Sequence, residues 1–242
     1  MERGAIWLAV VVVSCVVLLR TNGFSLFDSQ NSFAQFQRWP ANGEERIRVG
    51  LRFKTYAKTG LLLYADDEGY AQYLKVALRD GFLVLELDDG NEVFESSTET
   101  RVNNLQWHWI SLEVTPGHVA YKVDDLTMAE YNLSTFALKS HVYVGGLPKA
   151  MDISVLTSIR VLFESRFLGC VQDVRHGNGS STDGPASLAG SAGMSSECKD
   201  ACKPLNPCRN RGVCVNKFAN AECLCAGTGY RGEMCQEGRS VE

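Results

Sequence analysis

The sequence predicts an all-β protein, an antiparallel β-sandwich followed by a small disulfide-rich module. Three observations carry this. Between Phe24 and Cys198 apolar residues recur with a period of two, and turn-forming pairs separate the runs at short intervals. Beyond them, six cysteines crowd into residues 202–235. At 242 residues, with 45% apolar and 21% charged side chains, the chain has the composition of an ordinary globular protein of one or two domains.

The first 23 residues stand apart. Arg3 precedes fifteen mostly apolar residues, Ala5–Leu19, and then small or polar ones ending at Gly23. That is the pattern of a secretory signal peptide, and the run is short for a membrane span, which needs about twenty residues. No later apolar run approaches spanning length. Cleavage after Gly23 would remove Glu2, Arg3, Arg20 and Cys15, taking the net charge from −4 to −5 and the nine cysteines to eight. An acidic chain of this kind is not built to bind nucleic acid. An even cysteine count in an oxidising compartment fits full disulfide pairing.

In "RIRVGLRF", Ile47, Val49, Leu51 and Phe53 alternate with Arg46, Arg48, Gly50 and Arg52, as in a half-buried strand. The same alternation gives strands at Leu74–Val76–Leu78, Leu83–Leu85–Leu87, Ile110–Leu112–Val114 and Val119–Tyr121–Val123. Asp80-Gly81, Asp88-Asp89-Gly90, Pro116-Gly117 and Asp124-Asp125 read as the turns between them. No long segment has a 3.6-residue period, so the predicted architecture is a sandwich of many short strands. Residues 177–197, rich in Gly, Ser and Ala, read as a flexible surface loop.

The motifs "TGLLLYADDEGYAQYLKVALRDGFLVLEL", "WHWISLEV", "YKVDD", "VYVGGLP" and "FLGCVQDVRHG" appear in that order across residues 24–198. In order and spacing they resemble a laminin G (LNS) domain, which implies a jelly-roll-like sandwich. Together with the leader and the module that follows, the pattern is similar to the amino-terminal end of the alpha-neurexin family. That resemblance implies cell adhesion and synapse organisation.

Cys202, Cys208, Cys214, Cys223, Cys225 and Cys235 lie within thirty-four residues, too few to fold around an apolar core alone. Spacing leaves fifteen pairings open, and the absence of histidine and of repeated C-x-x-C pairs argues against zinc. The C-x-C at Cys223 and Cys225, followed by Gly229-Tyr230-x-Gly232, resembles an EGF-like module. The resemblance implies the pairs Cys202–Cys214, Cys208–Cys223 and Cys225–Cys235. Cys170 and Cys198 then remain for each other, closing a loop worth about 3.5 kcal/mol in the chain-entropy model. Calcium-binding EGF-like modules carry an acidic run before the first cysteine. Here that run is broken, although Asn216 matches one family position. The expected organisation is leader 1–23, LNS domain 24–198, EGF-like module 199–236 and tail 237–242.

Four features invite a site. Asp66, Asp67 and Glu68 offer the oxygens a hard cation wants, which makes calcium a candidate there, but a solvated acidic loop is the favoured reading and no cofactor is expected. The laminin G resemblance places its calcium ligand at Gln72, which is neutral, and opposite Lys139, which repels a cation. Arg46, Arg48, Arg52 and Lys54 share one strand parity and would form a basic row roughly 26 Å long, suited to a sulfated glycan such as heparan sulfate. A solvated edge that resists strand pairing is the alternative. Asn132-Leu133-Ser134 and Asn178-Gly179-Ser180 are N-glycosylation sequons. The histidines 108, 118, 141 and 176 are scattered, and His108, on the parity of Ile110, reads as a hydrogen-bonded core residue rather than a base or ligand. No nucleophile, metal-hydrolase or phosphate-loop motif occurs, so no enzyme is expected. The expected protein is an extracellular adhesion module that binds a cell-surface protein or a glycan. The alternative is a secreted matrix or growth-factor-like protein that binds heparan sulfate.

Overall fold

The computed structural model describes residues 23–26, 30–38, 46–115, 117–133, 136–177, 184–203, 205–218 and 220–238. The expected leader before Gly23, Pro116, the Asn178 sequon and residues 239–242 lie outside the described residues. Among these, fifteen strands build a two-sheet sandwich. They are β1 (Phe24–Leu26), β2 (Phe33–Arg38), β3 (Ile47–Thr55), β4 (Gly60–Asp66), β5 (Gln72–Arg79), β6 (Phe82–Asp89), β7 (Val93–Ser97) and β8 (His108–Thr115). They continue with β9 (His118–Val123), β10 (Leu126–Asn132), β11 (His141–Val144), β12 (Gly169–Gly177), β13 (Gly184–Pro185), β14 (Leu188–Ala192) and β15 (Met194–Ser195). One sheet runs β10-β9-β8-β3-β12-β1-β15, with β13 beside β12; the other runs β14-β2-β11-β4-β5-β6-β7.

Alternation becomes packing in the first sheet. Val49, Leu51 and Phe53 on β3 lie beside Ile110, Leu112 and Val114 on β8, all buried, and the even-numbered β3 residues face outward. The opposing layer comes from β5 and β6, with Leu74, Val76, Leu78, Leu83, Leu85 and Leu87. Each fully buried aliphatic side chain contributes about 1.5–3 kcal/mol. β4 is different, because all seven of its residues are buried. Its outer face is covered by residues 147–164, whose Leu147, Leu156 and Val161 pack on Leu61, Tyr64, Tyr73 and Tyr143. Two short 3₁₀ helices, Ile153–Val155 and Ile159–Phe163, lie in this crossing segment. Covering on both sides explains the unbroken "GLLLYA" run.

β12 carries a bulge. Its pairing with β3 shifts between Gln172 and Arg175, and Asp173 adopts φ +53°. The extra residue lets Val171 and Val174 both reach the core while Arg175 points out.

The reading of residues 177–197 as a flexible loop needs correction for its described part. β13 pairs with β12, β14 extends the second sheet through β2, and β15 pairs with β1. Small side chains are compatible with backbone ladders, and the free edges of β1 and β2 supply the partners.

The C-terminal region holds two hairpin-like pairs, β16 (Val213–Asn216) with β17 (Ala221–Leu224), and β18 (Tyr230–Arg231) with β19 (Glu237–Gly238). Disulfides join Cys202–Cys214, Cys208–Cys223 and Cys225–Cys235, and Cys170 is bonded to Cys198 in the sandwich. Phe218, at φ +64° in the β16–β17 turn, is buried and stacks on Tyr56 of the sandwich, ring centres 6.4 Å apart. The Lys54 ammonium lies 5.9 Å from the Phe218 ring and 5.0 Å from Trp107, and Lys217 lies over Tyr56 at 5.0 Å. Interlocked cations and rings thus form the joint between the two parts.

One core hydroxyl is anomalous. Tyr121 is fully buried, and its Oη has no hydrogen-bond partner among the described residues. Burying an unpaired hydroxyl costs about 1–3 kcal/mol. Tyr121→Phe should therefore leave stability unchanged or raise it by up to about 1 kcal/mol, read as the urea midpoint at constant m; a loss above 1 kcal/mol would reveal a hidden partner.

Candidate functional site

The acidic motif lies at the rim where β4 ends and β5 begins, but its oxygens are already used. Asp66 Oδ2 accepts from Tyr64 Oη at 2.9 Å and from the Thr157 N–H at 3.1 Å, and Oδ1 accepts from the Glu68 N–H at 3.1 Å. Asp67 accepts from the N–H groups of Tyr70, Ala71 and Gln72 and, at 2.6 Å, from the Thr157 hydroxyl. Both carboxylates are buried. Glu68 is ion-paired with Arg38. Reading this trio as a cation site therefore needs correction: Asp66 and Asp67 close the turn and tie it to Thr157 of the crossing segment, while Glu68 reaches Arg38 of β2. Among the described residues, no group of three or more His, Cys, Asp or Glu is arranged to hold a metal ion.

Gln72 works nearby. Its Oε1 accepts from the Ala137 N–H at 2.8 Å and its Nε2 donates to the Asp89 carbonyl at 2.9 Å. A neutral amide thereby cross-links two rim loops. Asn216 has a similar task in the C-terminal region. It accepts from the Ala201 and Phe218 N–H groups and donates to the Lys199 carbonyl.

The crossing segment presents the rim's contact chemistry. Its inner residues, Leu156 and Val161, are buried, whereas Ile153, Val155, Ile159, Leu162 and Phe163 face solvent. Phe163 is 85% exposed, and neighbouring Tyr70 is 77% exposed. Tyr70, Val93, Thr157 and Ile159 line an open groove of about 480 Å³. The segment is firmly seated. Asp152 caps its first turn by accepting from the Ser154 N–H, and Glu164 pairs with Lys75 at 3.1 Å. A Cβ at Gly69 would stand 3.0 Å from the Ser154 carbonyl, so glycine lets the acidic turn press against it.

The basic row exists on the outer face of β3 but is largely paired. Arg46 and Arg48 share Glu113 at 3.0 Å each, Arg52 approaches Asp173 at 3.8 Å, and Lys54 is engaged at the joint. His108 bridges Asp124 Oδ2 at 2.9 Å and Asn104 Oδ1 at 3.0 Å. Asn132 is exposed at the end of β10; Ser134 of its sequon lies outside the described residues.

Sequence reasoning missed the exposed apolar segment, since residues 153–163 fit neither a period of two nor one of 3.6. It also passed over two indoles. Trp107 and Trp109 have the parity opposite to Ile110, so alternation alone puts them on the outer face.

The chain is a two-sheet β-sandwich braced by one disulfide, followed by a C-terminal region that holds three more. The laminin G domain family matches residues 53–179, more than half of the chain, and the chain belongs to that family. It is 27% identical over 249 residues to Neurexin 1 of Drosophila melanogaster, covering 89% of this chain and 13% of that protein. It is 29% identical over 206 residues to Neurexin-2 of Mus musculus, covering 79% and 11%. The chain thus spans about an eighth of the length of these relatives. In structure it is similar to domains LG4-5 of the mouse laminin alpha1 chain, with TM-score 0.58, 19% identity, and coverage of 73% of this chain and 47% of that one. The LG1-3 region of the laminin alpha2 chain gives TM-score 0.55 and 17% identity, covering 70% and 35%.

Burial alone would raise the Asp67 carboxyl, but hydrogen bonds from Thr157 and from the Ala71, Gln72 and Tyr70 amides outweigh it and hold the group below its ordinary value. The folded form is then the weaker proton binder. Its stabilisation is complete above the unfolded value of about 3.9 and is lost as pH falls through the folded one. Thr157→Val should cost about 1–3 kcal/mol at pH 7 and make the decline on acidification shallower. Thermal unfolding from neutral pH to below pH 3 checks both, and an unchanged acid limb would remove Asp67 from the account.

Proposed function

We propose that the chain is an extracellular recognition protein of the neurexin type, whose sandwich binds a cell-surface protein through its rim. The C-terminal region acts as an EGF-like spacer, and the setting is cell adhesion at synapses. The observation that carries this is the apolar row Ile153, Val155, Ile159, Leu162 and Phe163, displayed on a segment that is itself pinned. Exposed large apolar side chains on a rigid support are what a protein interface uses as anchors, because little ordering entropy remains to be lost on binding. The similarity to neurexins, the disulfides and the laminin G fold support the extracellular setting, and the family is typically non-enzymatic.

A second reading, binding of heparan sulfate by Arg46, Arg48, Arg52 and Lys54, draws on the two arginines that share the carboxylate of Glu113, which leaves positive charge in excess there.

The readings separate by assay. Labelled protein should bind the surface of neuronal cells, and Ile159→Ser with Phe163→Ser should reduce that binding by about tenfold or more at unchanged melting temperature. Heparinase treatment and Arg46→Ser should have no effect. Loss of binding with heparinase, or full binding by the rim variant, would reject the rim reading.

A further inference from the structure

A second concave surface lies on the outer face of the first sheet, away from the rim. It is an open groove of about 610 Å³ lined by Trp107, Trp109, Arg52, Arg175, Asp125 and Asp173, with His108 and Asp124 at one side. Each part is built in by local structure. The β9–β10 turn holds Asp124 at φ +53°, from where its Oδ1 accepts from the Trp109 N–H at 2.8 Å and its Oδ2 faces His108. Gly50 leaves room for the Trp109 ring: a Cβ there would stand 2.5 Å from Trp109 Cζ2. The benzo edge of Trp109 thus rests on bare backbone. The β12 bulge turns Arg175 outward and sets Asp173 toward Arg52. Trp107 is also the ring beneath the Lys54 ammonium, so the groove is continuous with the joint to the C-terminal region.

The inner charged groups of the lining already have partners. Arg52 lies beside Asp173, and Asp124 is held by the Trp109 N–H and the His108 ring. That leaves one exposed guanidinium, Arg175, and one exposed carboxylate, Asp125, with no ion pair or side-chain hydrogen bond between them and the rest of the described residues. The free groups of this surface are two indoles, one donor fork and one acceptor pair, and the last two balance each other in charge. Such a surface suits a ligand that is apolar on one face and lined with groups that both donate and accept. A pyranose ring has that character. Its axial C–H groups are drawn to the negative face of an indole, and its hydroxyls donate to carboxylates and accept from guanidinium N–H groups.

We propose that this groove binds an uncharged oligosaccharide, stacking a sugar ring on Trp107 and Trp109 and exchanging hydroxyl hydrogen bonds with Arg175 and Asp125. The site is separate from the rim and does not depend on the rim's protein partner.

The test uses the full secreted chain with its disulfides intact. It is applied to an array of neutral, sialylated and sulfated oligosaccharides, and a retained neutral glycan is then titrated by calorimetry. Neutral glycans should be retained, with affinity nearly constant between about 0.05 and 0.5 M salt, because no counterions are released. Asp125→Asn and Arg175→Gln, both at exposed positions that the fold does not use, should each weaken binding by about tenfold or more at unchanged melting temperature. Phe163→Ser should leave glycan binding intact, so failure at the rim and failure in the groove are distinguishable. Retention of sulfated glycans only, with a steep salt dependence, would overturn the proposal in favour of the basic row. Capture of an arginine-rich peptide with no glycan retained, retention of nothing, or neutral-glycan binding indifferent to both substitutions would each overturn it as well.

Discussion

Both faces of the second sheet are covered at β4 and β5, and the ammonium of Lys75 holds the second cover in place. Strand alternation would send Lys75 to solvent, yet its side chain is only 5% exposed. It pairs with Glu86 across the strand at 2.9 Å and with Glu164 of the crossing segment at 3.1 Å. Glu86 also accepts from Tyr73 Oη at 2.7 Å and from Arg79 at 2.8 Å. Burial pushes the Glu86 carboxyl up, but the Tyr73 and Lys75 donors prevail and hold it below the ordinary value. Removing the lysine would leave two carboxylates facing each other beneath an apolar cover, the arrangement in which breaking a buried pair costs most. The rim segment is therefore fixed by a charge that solvent barely reaches.

The Cys170–Cys198 bond has the corresponding role at the other end. Cys170 is completely buried in β12, and Cys198 follows β15, so the bond fastens the last sandwich residues to the sheet. Cys202 comes four residues later, and an extended chain of that length reaches no more than about 14 Å. Asn216 then ties residues 199 and 201 to the β16–β17 hairpin, and Phe218 fits against Tyr56. Phe218 occupies a left-handed conformation that costs a bulky residue of order 1 kcal/mol, which its burial in the joint offsets.

The sandwich was legible because β3, β8 and β9 each bury one face, and a period of two records that directly. Cysteine spacing and resemblance together led to the same four pairs that the structure contains. What stayed hidden depends on contacts between distant residues. Asp67 reads as a free carboxylate until Thr157, ninety residues on, donates to it. Arg48 reads as a free cation until β8 brings Glu113 alongside. The strands within residues 184–195 are held by edges that composition cannot reveal. The groove lay partly in view, since parity places Trp107 and Trp109 outward. Arg175 reaches it only through a bulge, which strict alternation does not anticipate.

The two candidate surfaces differ in chemistry in a way that fits their supports. An apolar anchor gains from rigidity, and the rim row is seated on buried ion pairs and a capped turn. A sugar groove needs donors and acceptors at set positions more than apolar area, and here strand register, a hairpin turn and a bulge set them. One neutral sugar held by two indoles and a few hydrogen bonds binds weakly by itself, on the order of millimolar, because its hydroxyls exchange one set of partners for another. Its contribution grows when the rim already holds a glycosylated partner. The second contact then becomes intramolecular, at an effective concentration that is itself on the order of millimolar. A close-packed sandwich separates the two surfaces and fixes their spacing, so selection would act on partners that display a protein epitope and a neutral glycan at that separation.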